Sequence, residues 1–233
     1  MFFFPIDHYY IILVVPTLIL SLWAQFKVKS TFNKYSQVQV SQRITGSDAA
    51  AAILRSNSIS DVAVESVPGS LTDHYDPRSK KLRLSEPVFS KSTIAALGVA
   101  AHEAGHAIQH ARGYGPLVLR STLVPIANIG SRFGPIMAIA GLFFFYDSPL
   151  PLFQLGILLF SGAVAFYLIT LPVEFNASSR ALALLQSSNM LTREELAGAK
   201  KVLTAAALTY VASALTAIMS LLRLILIARG RRS

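Results

Sequence analysis

Residues 101–112 read AHEAGHAIQHAR and hold three of the five histidines in a chain of 233 residues. His102 and His106 stand four apart, and Glu103 follows the first directly. A helix advances about 100° and about 1.5 Å per residue, so these imidazoles lie about 40° apart in angle and about 6 Å apart along the axis. Both can reach one cation. Glu103 lies about 100° round from His102, where its carboxylate can meet a water on that cation without being a ligand. Two imidazoles on a zinc ion with a carboxylate base beside them form an arrangement suited to hydrolysis. The bland reading is a solvated helix face with two incidental histidines. Gly105, between the pair, leaves room for backbone or substrate to approach closely.

His110 does not complete the ligand set. On a continuous helix it lies about 12 Å along the axis from His102, whereas Zn–N bonds are about 2 Å long. Nor does the longer pattern H-E-x-x-H-x-x-G-x-x-H occur, because Gln109 and Arg112 stand where it needs Gly and His. His110 reads as a cap, a group behind the ligands or a solvent-facing residue. With no cysteine in the chain, a zinc ion must be held by imidazole and carboxylate. The remaining candidates for a third ligand are His8, His74 and Glu174. Glu174, in LPVEFNASSRALALL, stands out because it ends an uncharged stretch of 26 residues, where a carboxylate needs a partner. The same position suits a capping role, with Pro172 opening a helix and Glu174 in its first turn.

The elements that must position these residues divide by composition. Charged residues are 14% of the chain and apolar residues 53%, and the mean hydropathy is +0.51. These values point to an integral membrane protein. Four uncharged segments stand out: Tyr9 to Phe26, Phe133 to Tyr146, Ser148 to Val173 and Val202 to Leu222. The second has only 14 residues, and spans a bilayer only if it extends back through Arg132. Between the first two segments lies a polar stretch. SDAAAAILRS predicts a helix capped by Ser47 or Asp48. VAVESV alternates as a half-buried strand does. SLTDHYDPRSKKLRLS predicts two strands joined at DPRS, with Leu82 and Leu84 on one face and Arg83 and Ser85 on the other. Ser92 to Arg112 predicts one helix, ended by Gly113 and Gly115.

The net charge is +9, and 13 of the 21 Lys and Arg lie between Lys27 and Arg132 beside seven acids. This mixed surface, without interleaved aromatics, argues against nucleic acid. It matches the positive bias of cytoplasmic loops. The N-terminus and the YDSPLP link then face outward, and 27–132 and 174–201 inward. The basic tail RGRRS resists this scheme, since four full spans put it outside.

Together, AHEAGHAIQHA, TDHYDP with LRLS behind it, LPVEFNASSRAL and the late AAALTYVASAL resemble the YugP-like neutral zinc metallopeptidases of bacterial membranes, in the same order over nearly the whole chain. That family is similar in plan to the gluzincins. The resemblance implies one zinc ion on His102, His106 and Glu174, with Glu103 as general base. HtpX-like gluzincins carry Asp four residues after the ligand Glu. Here Ser178 stands at that place, so Ser178 or Asn176 is expected to orient a ligand. His74, Tyr75 and Arg180 are candidate donors to the transition-state oxyanion. KKLRLS, with Leu82, Arg83 and Leu84, is a candidate edge strand for an extended substrate, or simply sheet structure.

The expected fold is mainly α with a small β element (α+β), a multi-pass membrane protein with a zincin-like metalloprotease domain. The expected parts are an anchor at 1–26, the zincin-like domain at 27–116, two membrane helices within 117–173, a third-ligand helix and linker at 174–201, and a last membrane helix with its tail at 202–233. The expected partners are a polypeptide substrate and the lipid bilayer of a bacterial cell membrane, with the site facing the cytoplasm. The rival is a zinc-binding membrane scaffold or transporter without catalysis. A transporter favours paired polar residues in mid-membrane, and a mere binding site has no use for Glu103.

Overall fold

The computed structural model describes residues 7–143 and 151–230. The YDSPLP link, Pro151 apart, and the last three residues of the basic tail lie outside the described residues. A short π-helical turn, Tyr10–Val14, leads into α1 (Val15–Tyr35). There follow α2 (Gly46–Ser56), β1 (Ala63–Val67), β2 (His74–Asp76), β3 (Lys81–Ser85) and a one-turn α3 (Glu86–Phe89). The chain continues as α4 (Ile94–Ala111), α5 (Gly115–Phe143), α6 (Leu152–Ser187) and α7 (Arg193–Gly230). The fold is α+β, as expected. Four helices among the described residues are long and apolar enough to cross a membrane: Tyr10–Tyr35, α5, α6 and α7. The chain divides into two compact units.

One unit takes the described parts of Met1–Ala24, Leu119–Leu171 and Thr209–Ser233. Its helices pack backbone to backbone through small residues, as lipid-embedded helices do. A Cβ on Gly134 would lie 2.8 Å from Phe160 Cβ, and one on Gly156 only 2.4 Å from the Ala138 nitrogen. Ile12, Leu22 and Leu158 are exposed. The expected short second segment extends back as α5, through Arg132 and on to Gly115. The last helix is continuous to Gly230. Ser21 and Thr216 hydroxyls meet at 3.3 Å, and Arg223 Nη2 donates to Asp7 Oδ2 at 2.6 Å. The start of the first helix and the end of the last therefore lie side by side.

The other unit, Gln25–Val118 and Pro172–Leu208, carries the histidine helix. Its sheet has the order β1-β3-β2, with β1 parallel and β2 antiparallel to β3. The β2–β3 turn forms as the residues predict: Asp76 Oδ1 accepts from the Arg78 nitrogen at 3.0 Å. The expectation that KKLRLS is an open edge strand is corrected here. Lys81, Leu82 and Arg83 have partners on both sides. Leu82 and Leu84 are fully buried, which a middle strand secures, while the flanking strands bring Glu65 and Asp76 to Lys81 and Arg83.

Two helix starts differ from expectation. The cap of α2 is Thr45, whose side chain accepts from the Asp48 nitrogen, and Asp48 accepts in return from the Thr45 nitrogen. This reciprocal box satisfies two donors at once, so Asp48 serves from inside the first turn. Pro172 does not open a new helix. It lies inside α6, which runs unbroken from Leu152 to Ser187. Glu174 is thus an interior helix residue and not a capping one.

α4 begins after Thr93, whose hydroxyl caps the Ala96 nitrogen. It ends at Gly113, φ +59°, where the Tyr114 nitrogen bonds the Gln109 carbonyl and the Gly113 nitrogen bonds the His110 carbonyl. That is the left-handed helix stop glycine favours. Between these ends α4 is buried on nearly every side. Its Ala and Gly content lets other backbones come close. A Cβ on Gly105 would stand 2.9 Å from the Ala177 carbonyl oxygen, whereas one on Gly98 would meet Ala199 Cβ at an ordinary 3.5 Å.

This contrast predicts opposite outcomes. Gly105→Ala forces the α4 and α6 backbones apart and should destabilise the protein by about 1–3 kcal/mol. Gly98→Ala should be neutral or stabilising by up to about 1 kcal/mol, since it removes a glycine from a helix. Thermal unfolding in detergent measures both, and equal shifts would contradict the close approach at Gly105.

Candidate metal centre

Three side chains of this second unit converge. His102 and His106 come from α4, and Glu174 comes from α6. His102 Nε2 lies 3.2 Å from Glu174 Oε2, and His106 Nε2 lies 3.5 Å from the same oxygen. The potential ligand atoms of the three all lie within 4.8 Å of one another. The imidazole rings stand 4.7 Å apart and nearly perpendicular, at 85°. Helical spacing alone brings the rings together. The approach of α6 at Gly105 brings the carboxylate.

The donor set fits a zinc ion. It consists of two imidazole nitrogens and one carboxylate oxygen, with Glu174 only 2% exposed. A carboxylate buried to this degree needs a cation or several hydrogen-bond donors. Both imidazoles turn Nε2 toward it because their Nδ1 atoms are engaged elsewhere. Ser178 Oγ lies 3.1 Å from His102 Nδ1, and Gln109 Oε1 lies 2.9 Å from His106 Nδ1. Burial pulls the His106 imidazole toward lower pKa, but its bond to Glu174 and the charges of Glu103 and Glu174 outweigh this, and the net direction is up.

Glu103 is 8% exposed and makes no hydrogen bond with any described residue. Asp73, which the sequence reading passed over, lies close enough for their charges to interact. Its carboxylate accepts from the Ser85 nitrogen at 2.7 Å and from the Ser85 hydroxyl at 3.0 Å. Burial and the Glu103 charge push the Asp73 carboxyl up, Ser85 pulls it down, and the net direction is up.

The other expected residues have separate partners. Asn176 Oδ1 accepts from Gln109 Nε2 at 3.0 Å and from Arg180 Nε at 2.7 Å. Asn176 thus acts through Gln109, and Arg180 is engaged behind the histidines. His74 is exposed, its Nδ1 2.8 Å from the Thr72 carbonyl and its Nε2 3.4 Å from Arg83. Tyr75 Oη meets His110 Nδ1 at 2.8 Å, which gives His110 its place. His8 lies against Tyr9, ring centroids 3.8 Å apart and tilted by 42°, and is not among the converging residues. Gln109, like Asp73, is a residue the sequence does not single out. Its only signal was negative, a mismatch with the longer histidine pattern. It is fully buried and also donates to the Val173 carbonyl at 2.8 Å.

A helix carrying H-E-x-x-H, a carboxylate from a later helix and four long apolar helices form the plan expected of a membrane-associated zinc peptidase. The chain belongs to the family described as "Putative neutral zinc metallopeptidase", whose profile matches residues 10–229. It is similar to the "Putative membrane protease YugP" of Bacillus subtilis (strain 168), being 51% identical over 218 residues, which cover 94% of this chain and 96% of that protein. No solved structure gives a significant match.

The Tyr75 phenol yields a pH test of this face of the helix. Burial first, then the charges of Asp61 and Asp76, push it up to about 12 from an ordinary 10.0. The folded protein then holds this proton more tightly than the unfolded chain. Stability should therefore fall as pH rises from about 10 toward about 12, and Tyr75→Phe should remove that part of the fall. The phenolate absorbance difference between the two proteins should titrate near 12, and a midpoint near 10 would contradict the partial burial of the Tyr75 phenol.

Proposed function

We propose that this chain is a membrane-embedded zinc-dependent endopeptidase, in which His102, His106 and Glu174 hold one zinc ion and Glu103 is the general base. The observation that carries the reading is the convergence of two Nε2 atoms from α4 on a buried carboxylate 72 residues along the chain. Family membership supports it. A zinc ion held by His102, His106 and Glu174 would supply the acidity that activates a water and the charge that polarises a peptide carbonyl. Glu103 takes the proton of the attacking water and passes it to the leaving amine nitrogen as the C–N bond breaks. Its lack of hydrogen bonds leaves both oxygens available for that exchange. Ser178 and Gln109 hold the two imidazoles from behind.

Residues 27–116 and 174–201 would form the catalytic part, and the segments 1–26, 117–173 and 202–233 its membrane anchor. The substrate is polypeptide, with membrane proteins and their exposed loops the class nearest to hand. The concentration of Lys and Arg between Lys27 and Arg132 favours the cytoplasmic side for the site. The pairing of Asp7 with Arg223 holds the late part of α7 beside the start of the first helix.

Purified protein in detergent should hydrolyse casein, and a zinc chelator should stop it. Glu103→Gln should lower the rate by about 10²–10⁴-fold while zinc content stays the same. Glu174→Ala should lose the zinc. Hydrolysis at full rate by Glu103→Gln removes Glu103 from the mechanism. Zinc bound by an unaltered protein that cleaves neither casein nor peptides trapped by the Glu103→Gln variant favours the scaffold instead.

A further inference from the structure

We infer that Gln109 is a positioning residue that dictates which nitrogen of His106 carries the proton, an inference that rests on the zinc reading above. The side-chain amide of Gln109 has two faces of opposite polarity, one that accepts and one that donates. Its surroundings decide which face meets His106. On one side lies the Val173 carbonyl oxygen, 2.8 Å away, in α6. A backbone carbonyl can only accept, so the Gln109 atom against it must be the NH2 group. On the same side lies Asn176 Oδ1 at 3.0 Å. That atom in turn faces Arg180 Nε at 2.7 Å. A guanidinium can only donate, so the Asn176 atom facing it is the carbonyl oxygen, which again demands NH2 from Gln109. Two independent partners of fixed polarity therefore orient the amide the same way.

The consequence falls on the histidine. With its NH2 turned to α6, Gln109 presents Oε1 to His106 Nδ1 at 2.9 Å. An acceptor there requires a proton on Nδ1, and a neutral imidazole then keeps its lone pair on Nε2. That is the atom turned toward Glu174, 3.5 Å away. The run Arg180–Asn176–Gln109–His106 thus carries the polarity of an arginine on α6 to the metal-facing nitrogen of α4. Gln109 is fully buried, so water does not compete for its bonds.

His102 is held differently. Its Nδ1 faces the Ser178 hydroxyl at 3.1 Å, and a hydroxyl donates or accepts as its neighbour requires. Ser178 holds the ring in place without choosing its tautomer. The two histidines are equivalent in the sequence motif and unequal in the fold.

The test is zinc affinity of the full-length protein in detergent, measured by competition with a chromogenic chelator. Gln109→Met keeps the volume and removes both polar faces. It should weaken zinc binding by about 10–100-fold, the usual effect of losing a partner behind a ligand, with the unfolding midpoint of the zinc-free protein within a few degrees of the unaltered one. Ser178→Ala should cost less. A second measurement needs no variant: in the zinc-loaded, histidine-labelled protein, nitrogen NMR should place the His106 ring proton on Nδ1 and zinc on Nε2. Zinc held equally by Gln109→Met, or a His106 ring proton on Nε2, overturns the role given to Gln109 and leaves the peptidase reading standing. An unaltered protein that binds no zinc overturns that reading, and this one with it.

Discussion

The contact on which the site depends is the near-touching of two helix backbones at Gly105 and Ala177. Imidazoles at positions four apart meet wherever a helix forms. A third ligand from another helix does not. It needs the second helix close enough for a glutamate side chain to reach, and 2.9 Å between a hypothetical Gly105 Cβ and the Ala177 carbonyl leaves no space for any side chain between them. The same approach that delivers Glu174 also delivers Ser178, one turn beyond, to the rear of His102, and Asn176 to the Gln109 amide behind His106.

That approach also explains the polar residues buried between α4 and α6. A carboxylate excluded from water costs several kcal/mol unless charges or donors surround it. Glu174 is met by two imidazoles, and each imidazole is met from behind by a polar side chain. No side-chain polar atom wholly sealed from solvent among the described residues lacks a partner. A network satisfied to its ends is rigid, because moving one member strands the next. Glu103 stands outside it. Freedom from hydrogen bonds is an expense for a structural carboxylate and a requirement for one that must take and release a proton.

Much of this was legible along the chain. The histidine helix, the strand pair around DPRS and the four apolar segments follow from local spacing, and local spacing survives folding. Glu174 was legible because a lone carboxylate beside 26 uncharged residues contradicts its surroundings. Three things were not. Pro172 looked like a helix start, since proline breaks the bond to the previous turn. Yet α6 carries through it, its continuity supplied by packing that no local rule registers. KKLRLS looked like an edge, because alternation shows which face is buried and not how many neighbours a strand has. Gln109 carried only the negative signal of a mismatched motif, because its role lies entirely in what α6 places opposite it.

The contrast between Ser178 and Gln109 shows how far a motif can mislead about its own symmetry. H-E-x-x-H presents its two histidines as interchangeable, and their distances to Glu174, 3.2 and 3.5 Å, sustain that impression. The difference is in what stands behind them. A hydroxyl adapts to whichever nitrogen faces it. An amide pinned between a carbonyl and an arginine-bound asparagine cannot rotate without setting oxygen against oxygen. Both rings are almost enclosed, with side-chain exposures of 12% and 11%, so burial does not distinguish them and the polarity of the group behind each one does.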